Sequence, residues 1–504
     1  MIKDSWKQII ENQDVRQNLS KIRQELKNKE TLNKFAALLK GQEQSLIALL
    51  KSEDAKIRKN AALLMGDLGL QEFLSPVFNA YKREEQRFVR SSYLSAIGNF
   101  DYREYLQELK DCMEKLSAQE VTEENKKHHM EELRELSALI LRMEGVKKHR
   151  FTGWDKPCNI VLLTNRNFAG LTMEELLKLE PDAKVKVFGA GVLGQVKNLR
   201  WADKIRTYQE LLFSVKGLET SPMDAFKLAE QIAGSELLTW LSDRHDGEMP
   251  YYFRIELKSK RPLNEKSAFV KKLSGQIEHL SERKLTNSVE NYEIEIRVIE
   301  NKEGNCNLLL KLFTLKDERF LYRKEVTPLS IRPMNAALCV TLAKEYLKED
   351  AQVLDPFCGV GTMLLERHKA VRMNTAYGLD IQEDAIQKAR RNTEAAGQIV
   401  HYINRDFFRF EHEYLFDEVI TNMPFQFGRT TQEEIDDIYK RFFGTVASFL
   451  KEEALIILYS HDRELVEKLA ARNHFSILKK YEISMREGTY VFLMSTIPAG
   501  KRRE

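Results

Sequence analysis

From residue 1 to about 148, apolar positions recur at three- and four-residue spacing, with polar and charged residues between them. That period predicts helices with one buried stripe. The stretch is rich in Leu, Ala, Lys and Glu, and Pro76 is its only proline. It also repeats internally. Asp54 to Gly66 aligns with Gln86 to Gly98, so Ile57/Val89, Arg58/Arg90 and Gly66/Gly98 share one offset of 32 residues. Repetition of this kind implies stacked helix pairs, because neither pair buries its apolar face alone. An irregular helical bundle fits the same spacing.

The pattern changes after a basic joint at Lys147, Lys148, His149 and Arg150. Short apolar runs bounded by polar residues predict strands at Cys158–Thr164, Lys184–Phe188, Tyr251–Glu256, Tyr292–Ile299, Cys306–Lys311 and Arg319–Lys324. Helical spacing covers Met173–Leu179, Pro222–Ile232 and Glu265–Leu280. The mixture predicts an α+β region. From Pro333 the rhythm becomes regular. Strands fit Val353-Leu354, Ala376–Leu379, Val400–Ile403, Glu418–Thr421, Leu455–Tyr459 and Tyr490–Ser495. Helices fit Met334–Tyr346, Met363–His368, Glu383–Ala396, Glu433–Leu450 and Arg463–Ala471. Repeated βα units predict a mostly parallel sheet covered on both faces, with a ligand beyond the carboxyl ends of the strands where their order reverses.

Composition narrows the function classes. A chain of 504 residues is too long for one core, so three or more domains are expected. At 43% apolar residues it folds throughout, and a net charge of +3 gives no overall attraction to nucleic acid, so any RNA surface must be local. Cys112, Cys158, Cys306, Cys339 and Cys358 are scattered without CxxC spacing, which argues against a disulfide framework and a metal site. No apolar run is long enough to cross a membrane, and the start of the chain lacks the pattern of a signal peptide. A soluble, cytoplasmic protein is expected.

Two strand ends carry the candidate chemistry. Asp355-Pro356-Phe357-Cys358-Gly359-Val360-Gly361-Thr362 reads as a strand entering a glycine turn and then a helix. Gly359 and Gly361 let backbone pack under a nucleoside, and the helix start offers unpaired N–H groups. Asp380, followed by Ile381 at the next strand's end, can accept ribose hydroxyls, and Asp406 after the third strand can take the adenine amine. The alternative for each acid is a helix cap. Thr421-Asn422-Met423-Pro424-Phe425 ends another strand. The exocyclic amine of a base is a poor nucleophile because its lone pair is delocalised into the ring. The Asn422 oxygen and a proline carbonyl can each accept one of its N–H groups and aim it, while Phe425 stacks on the extruded base.

These two motifs together resemble the THUMP-associated RNA methyltransferases, and within them the branch that makes N2-methylguanosine in tRNA. The lead-in Val326 to Asn335 is similar to the segment before that family's first catalytic helix. The resemblance is specific over 326–425. It implies S-adenosyl-L-methionine as cofactor, held by Asp355, Phe357, Gly359, Gly361, Thr362, Asp380, Ile381 and Asp406, with Asn422, Pro424 and Phe425 as catalytic residues. It implies a Rossmann-like methyltransferase domain over 326–498 and a ferredoxin-like plus THUMP-like RNA-binding region over 151–325. Residues 1–148 resemble HEAT-type repeats and offer a surface for a protein partner. The chain departs from the branch at Gln426-Phe427, which intervene before Gly428-Arg429. The expected reaction is methylation of guanosine N2 in tRNA. Alternatives are the same chemistry on 23S rRNA, DNA adenine-N6 methylation, disfavoured by Met423, and a non-catalytic repeat scaffold.

Lys258, Lys260 and Arg261, like Lys271 and Lys272, fit either phosphate contacts or a solvated edge. Lys501-Arg502-Arg503 reads as a frayed end, His128 and His129 as members of a charged helix, and Trp154 and Trp201 as core anchors.

Overall fold

The computed structural model describes residues 2–117, 119, 126–144 and 149–496. Lys147, Lys148 and Lys501 to Arg503 lie outside the described residues. The chain divides into two units, residues 1–147 and 148–504. No helix of the described residues is long and apolar enough to cross a membrane.

Every regular element among the described residues of the first unit is a helix, and its repeat is visible in side-chain bonding. Helices Ala55–Leu68 and Arg87–Ile97 occupy equivalent places. Arg58 donates to the Ser52 carbonyl at 2.8 Å, and Arg90 donates to the Glu84 carbonyl at 2.8 Å. Those acceptors are themselves one repeat apart. Each arginine also pairs with a buried carboxylate, Arg58 with Glu84 and Arg90 with Glu132. Gly66 permits close helix approach: a Cβ there would lie 2.7 Å from the Ala96 Cα.

In the second unit, His245–Asp246 pairs separately with Arg150–Phe151, while nine strands between residues 158 and 312 join in one sheet. Its order is 184–188, 191–196, 158–164, 208–214, 305–312, 294–300, 251–258 and 285–287, with the short strand Ser221–Pro222 paired beside Asn305–Leu312. Helices Ala225–Gly234 and Leu263–Leu280 pack on it over a continuous core that includes Trp201. The helix expected from Pro222 begins at Ala225, because Asp224 accepts from the N–H groups of Phe226 and Lys227 and caps it. The strand expected at Arg319–Lys324 is absent: these residues form turns and extended coil. Their apolar side chains are fixed by polar and aromatic contacts and not by a ladder. Arg319 donates to the Tyr208 carbonyl and lies 3.5 Å over the Tyr208 ring, and the Tyr322 hydroxyl donates to Glu366. Lys258 and Arg261 pair with Glu256 and Glu300, which favours the solvated-edge reading for both.

The catalytic-type sheet follows. Its strands are β1 (Ala351–Asp355), β2 (Met373–Asp380), β3 (His401–Asn404), β4 (Phe416–Asn422), β5 (Leu450–Ser460), β6 (Ser476–Ser484) and β7 (Thr489–Ser495). They lie in the order β3-β2-β1-β4-β5-β7-β6, parallel through β5 and antiparallel at β7 and β6. The order reverses between β1 and β4, where the two motif-bearing strands lie side by side. The helices are α1 (Pro333–Leu342), α2 (Thr362–Ala370), α3 (Glu383–Ala395), α4 (Gln432–Thr445) and α5 (Arg463–Arg472). Alternate strand residues feed two cores: Val353, Ile420 and Ile457 meet α1 to α3, while Leu354, Val419 and Ile456 meet α4 and α5. The expected helix through Leu450 stops at Thr445, a 3₁₀ turn follows, and Leu450 opens β5.

Three polar devices fix this domain. On α2, Arg367 makes a two-pronged ion pair with Glu418 on β4, at 2.6 and 2.8 Å, with both side chains buried. The neighbouring Glu366 accepts both Arg206 and Tyr322, tying α2 to the preceding sheet. From the other side, Asn165 and Asn167 donate to the carbonyls of Ile483 and Glu482 on β6.

Candidate active site

The turn after β1 is built from backbone groups that satisfy one another. Asp355 accepts from the Phe357 N–H at 3.1 Å, the Cys358 N–H donates to the Leu379 carbonyl at 2.8 Å, and the Gly361 N–H donates to the Cys358 carbonyl at 2.8 Å. Asp380 holds the turn from β2, accepting the Gly359 N–H at 3.0 Å and the Gln382 N–H at 2.8 Å. Asp380 therefore does cap backbone, yet it also lines the cavity beside the turn. Gly359 and Gly361 both have positive φ, 51° and 82°, and differ in use. No atom lies within 4 Å of a Cβ at Gly359, whereas one at Gly361 would meet the Tyr402 hydroxyl at 2.2 Å. Gly359 leaves room for a ligand, and Gly361 leaves room for Tyr402.

The corner after β4 is looser. It is pinned by the Met423 N–H, which donates to the Tyr459 carbonyl at 2.9 Å. The side-chain oxygen of Asn422 is buried with no hydrogen-bond partner. Phe425 stacks on His461, with ring centroids 4.2 Å apart and planes 29° apart.

Both corners open into one cavity of about 410 Å³, within the range that takes a small molecule. Asp355, Phe357, Gly359, Thr362, Asp380, Ile381, Asp406, Asn422, Pro424 and Phe425 line it; Gly361 stands behind the wall. Asp406 caps the short turn that follows by accepting the Phe408 N–H at 3.0 Å. The cavity and its immediate surroundings also bring in residues that local pattern did not reveal. Arg441 lies 3.8 Å over the Phe408 ring and 3.9 Å from Asp406, and His461 stands against Phe425. Each sits far along the chain from what it touches, and only the aromatic clustering of residues 407–410 hints at the first.

The electrostatics of the site follow from buried carboxylates. Burial pushes the Asp355 carboxyl up to about 7; the Thr421 hydroxyl beside it and the Phe357 N–H only partly offset this. Neither the second Asp355 oxygen nor the Thr421 and Thr362 hydroxyls has an aligned hydrogen-bond partner. Burial also raises Asp380, against the pull of its two N–H donors, and lowers His461. S-adenosylmethionine, a cation with ribose hydroxyls and an adenine amine, suits this set: orphaned acceptors, three lining carboxylates and an open glycine. Asp355, Gly359, Thr362, Asp380 and Asp406 line the cavity where such a ligand would lie.

Known proteins agree. Residues 321–490 match the RMKL-like methyltransferase domain, and residues 43–124 match HEAT repeats. Over 157 residues the chain is 28% identical to the tRNA (guanine(10)-N2)-dimethyltransferase of Pyrococcus abyssi, covering 30% of this chain and 45% of that one. The chain spans about half the length of the curated relatives it matches. Among solved structures, TrmN from Thermus thermophilus superposes with a TM-score of 0.51 at 17% identity, covering 68% of this chain and 100% of that one. A putative methyltransferase complexed with SAH superposes at 0.53 and 15% identity, covering 69% and 100%. At these identities the likeness is one of fold. Residues 321–490 are thus similar to RMKL-like methyltransferase domains, and fold, cavity and family match agree on S-adenosylmethionine as the cofactor.

Proposed function

We propose that the protein methylates the exocyclic N2 amine of a guanosine in tRNA. The observation that carries this reading is the buried, partnerless oxygen of Asn422, held at the end of β4 in the wall of the cavity that the β1 turn also lines. An unpaired buried acceptor costs free energy unless a ligand donor meets it. A base amine is such a donor. In this reading the Asn422 oxygen and the Pro424 carbonyl each accept one amine N–H, which localises the lone pair and aims it. Phe425, backed by His461, presents its other face to the base. The bound cofactor supplies an electrophilic methyl group. The chain's part is to orient the amine, exclude water and hold the donor still, so positioning provides most of the acceleration. The relatives that act on tRNA guanine N2, and Met423 between the asparagine and proline, favour guanine over adenine.

The test is a transfer assay. Purified full-length protein receives labelled S-adenosylmethionine with total tRNA, and separately with ribosomal RNA, and the RNA is digested to nucleosides. The expected result is label in N2-methylguanosine from tRNA. Label only in another nucleoside, or only in ribosomal RNA, overturns the reading.

A further inference from the structure

Two exposed turns stand beside the acceptor corner, and the site described so far uses neither. The first follows Phe425: the Thr430 N–H donates to the Phe427 carbonyl at 3.2 Å, Gly428 takes φ 64°, and the turn presents Phe427, 50% exposed, together with Arg429. The second joins β6 to β7. There the Glu487 N–H donates to the Ser484 hydroxyl at 3.2 Å, and the turn presents Met485, 85% exposed, together with Arg486. The two are linked through the acceptor platform. Phe425 stacks on His461, and a Cβ at Gly488 would lie 3.9 Å from the His461 carbonyl. The second turn is anchored at its base by Asn165 and Asn167, which reach β6 from the preceding sheet.

Each turn thus pairs one large exposed apolar side chain with one exposed arginine. Neither arginine has an ion-pair partner among the described residues. Exposed Phe and Met cost free energy in water, and a surface that keeps both beside a cavity suited to a flipped base has a use for them. Extruding a base leaves a gap in the stack, and apolar side chains fill such gaps.

We propose that these turns form the RNA-engaging rim of the acceptor site. Phe427 and Met485 enter the base stack on either side of the extruded nucleotide, and Arg429 and Arg486 hold the flanking phosphates. The proposal rests on the reading of the cavity as a nucleobase site in RNA and adds how a structured RNA is opened to reach it.

The experiment uses the full-length protein and total tRNA from cells lacking its gene. Phe427→Ala and Met485→Ala are expected to lower methyl incorporation, Phe427→Ala by at least about tenfold, with donor affinity by calorimetry unchanged as the check on folding. Phe427→Trp restores turnover, since a larger ring also fills the gap. Arg429→Ala and Arg486→Ala each lower the salt dependence of tRNA binding by about one counterion. If the wild type methylates tRNA and all four alanine variants match it in turnover and salt slope, the rim is overturned while the guanosine reading stands. If the wild type transfers no methyl group to tRNA, the guanosine reading itself fails.

Discussion

The turns after β1 and β4 sit side by side at the point where strand order reverses, yet they are built differently. The β1 turn is closed on itself: Asp355, Asp380, Leu379 and Cys358 consume its N–H groups. The β4 corner has one backbone pin, a partnerless amide oxygen and an exposed continuation. The difference teaches how such a site divides its work. A small cofactor gains from a preformed cradle, because little ordering remains to be done on binding. On the proposed reading, a large acceptor that must be opened first is met by groups that stay unsatisfied until it arrives. The buried Arg367–Glu418 pair joins the last turn of α2, the helix after the first turn, to the start of β4, the strand before the second.

Four experiments break or sharpen this contrast. The largest effect is expected from Glu418→Ala, which leaves Arg367 charged and unpaired in the interior and lowers stability by about 3–5 kcal/mol in denaturant unfolding. A loss under about 1 kcal/mol would show that the pair does not hold α2 to β4. Next comes Asn422→Ala. If its oxygen acts on the reacting amine, turnover falls by roughly 10²–10³, with donor affinity unchanged. A matching fall in donor affinity would blur the division between the corners. Asp380→Ala leaves the Gly359 and Gln382 N–H groups unpaired and is expected to weaken donor binding by about 1–3 kcal/mol. Acceptor KM stays the same. Unaltered donor affinity would reduce Asp380 to a cap.

The last experiment is one of pH. Asp355 keeps its proton up to about 7, against 3.8 in an ordinary carboxyl. The folded state therefore binds one proton more than the unfolded state between those values, and stability from this group falls as pH rises from about 4 to about 7, then levels. Relative to Asp355→Asn, the wild type should lose stability across that window in denaturant titrations. A constant difference would place the Asp355 carboxyl in the ordinary range.

What the sequence made legible follows the same division. Residues 355–362 and 421–425 could be read because a glycine bend and a strand-end asparagine are local patterns whose meaning needs no distant partner. The helical repeat was equally readable, since Arg58 and Arg90 recur with the glycines that let their helices close. Gly361 looked like a second ligand-facing glycine because its reason, the Tyr402 hydroxyl, comes from another strand. The strand Gly191–Val196 went unseen because its two glycines argue against a strand. Gly194 is needed there because a Cβ would lie 2.5 Å from the Val185 side chain. Ser476–Ser484 hid for the opposite reason: it is an edge strand with Lys479 and Lys480 at its centre, too polar to stand out. Phe320 and Tyr322 misled by alternating like strand residues when their partners were Arg206 and Glu366.

The most direct measurement is nucleoside mass spectrometry of tRNA from cells lacking the gene and carrying back either the wild-type chain or Asn422→Ala. The expected result is loss of N2-methylguanosine at one tRNA position, restored by the wild type and not by the variant. Unchanged N2-methylguanosine at every position, or full restoration by Asn422→Ala, would contradict the account.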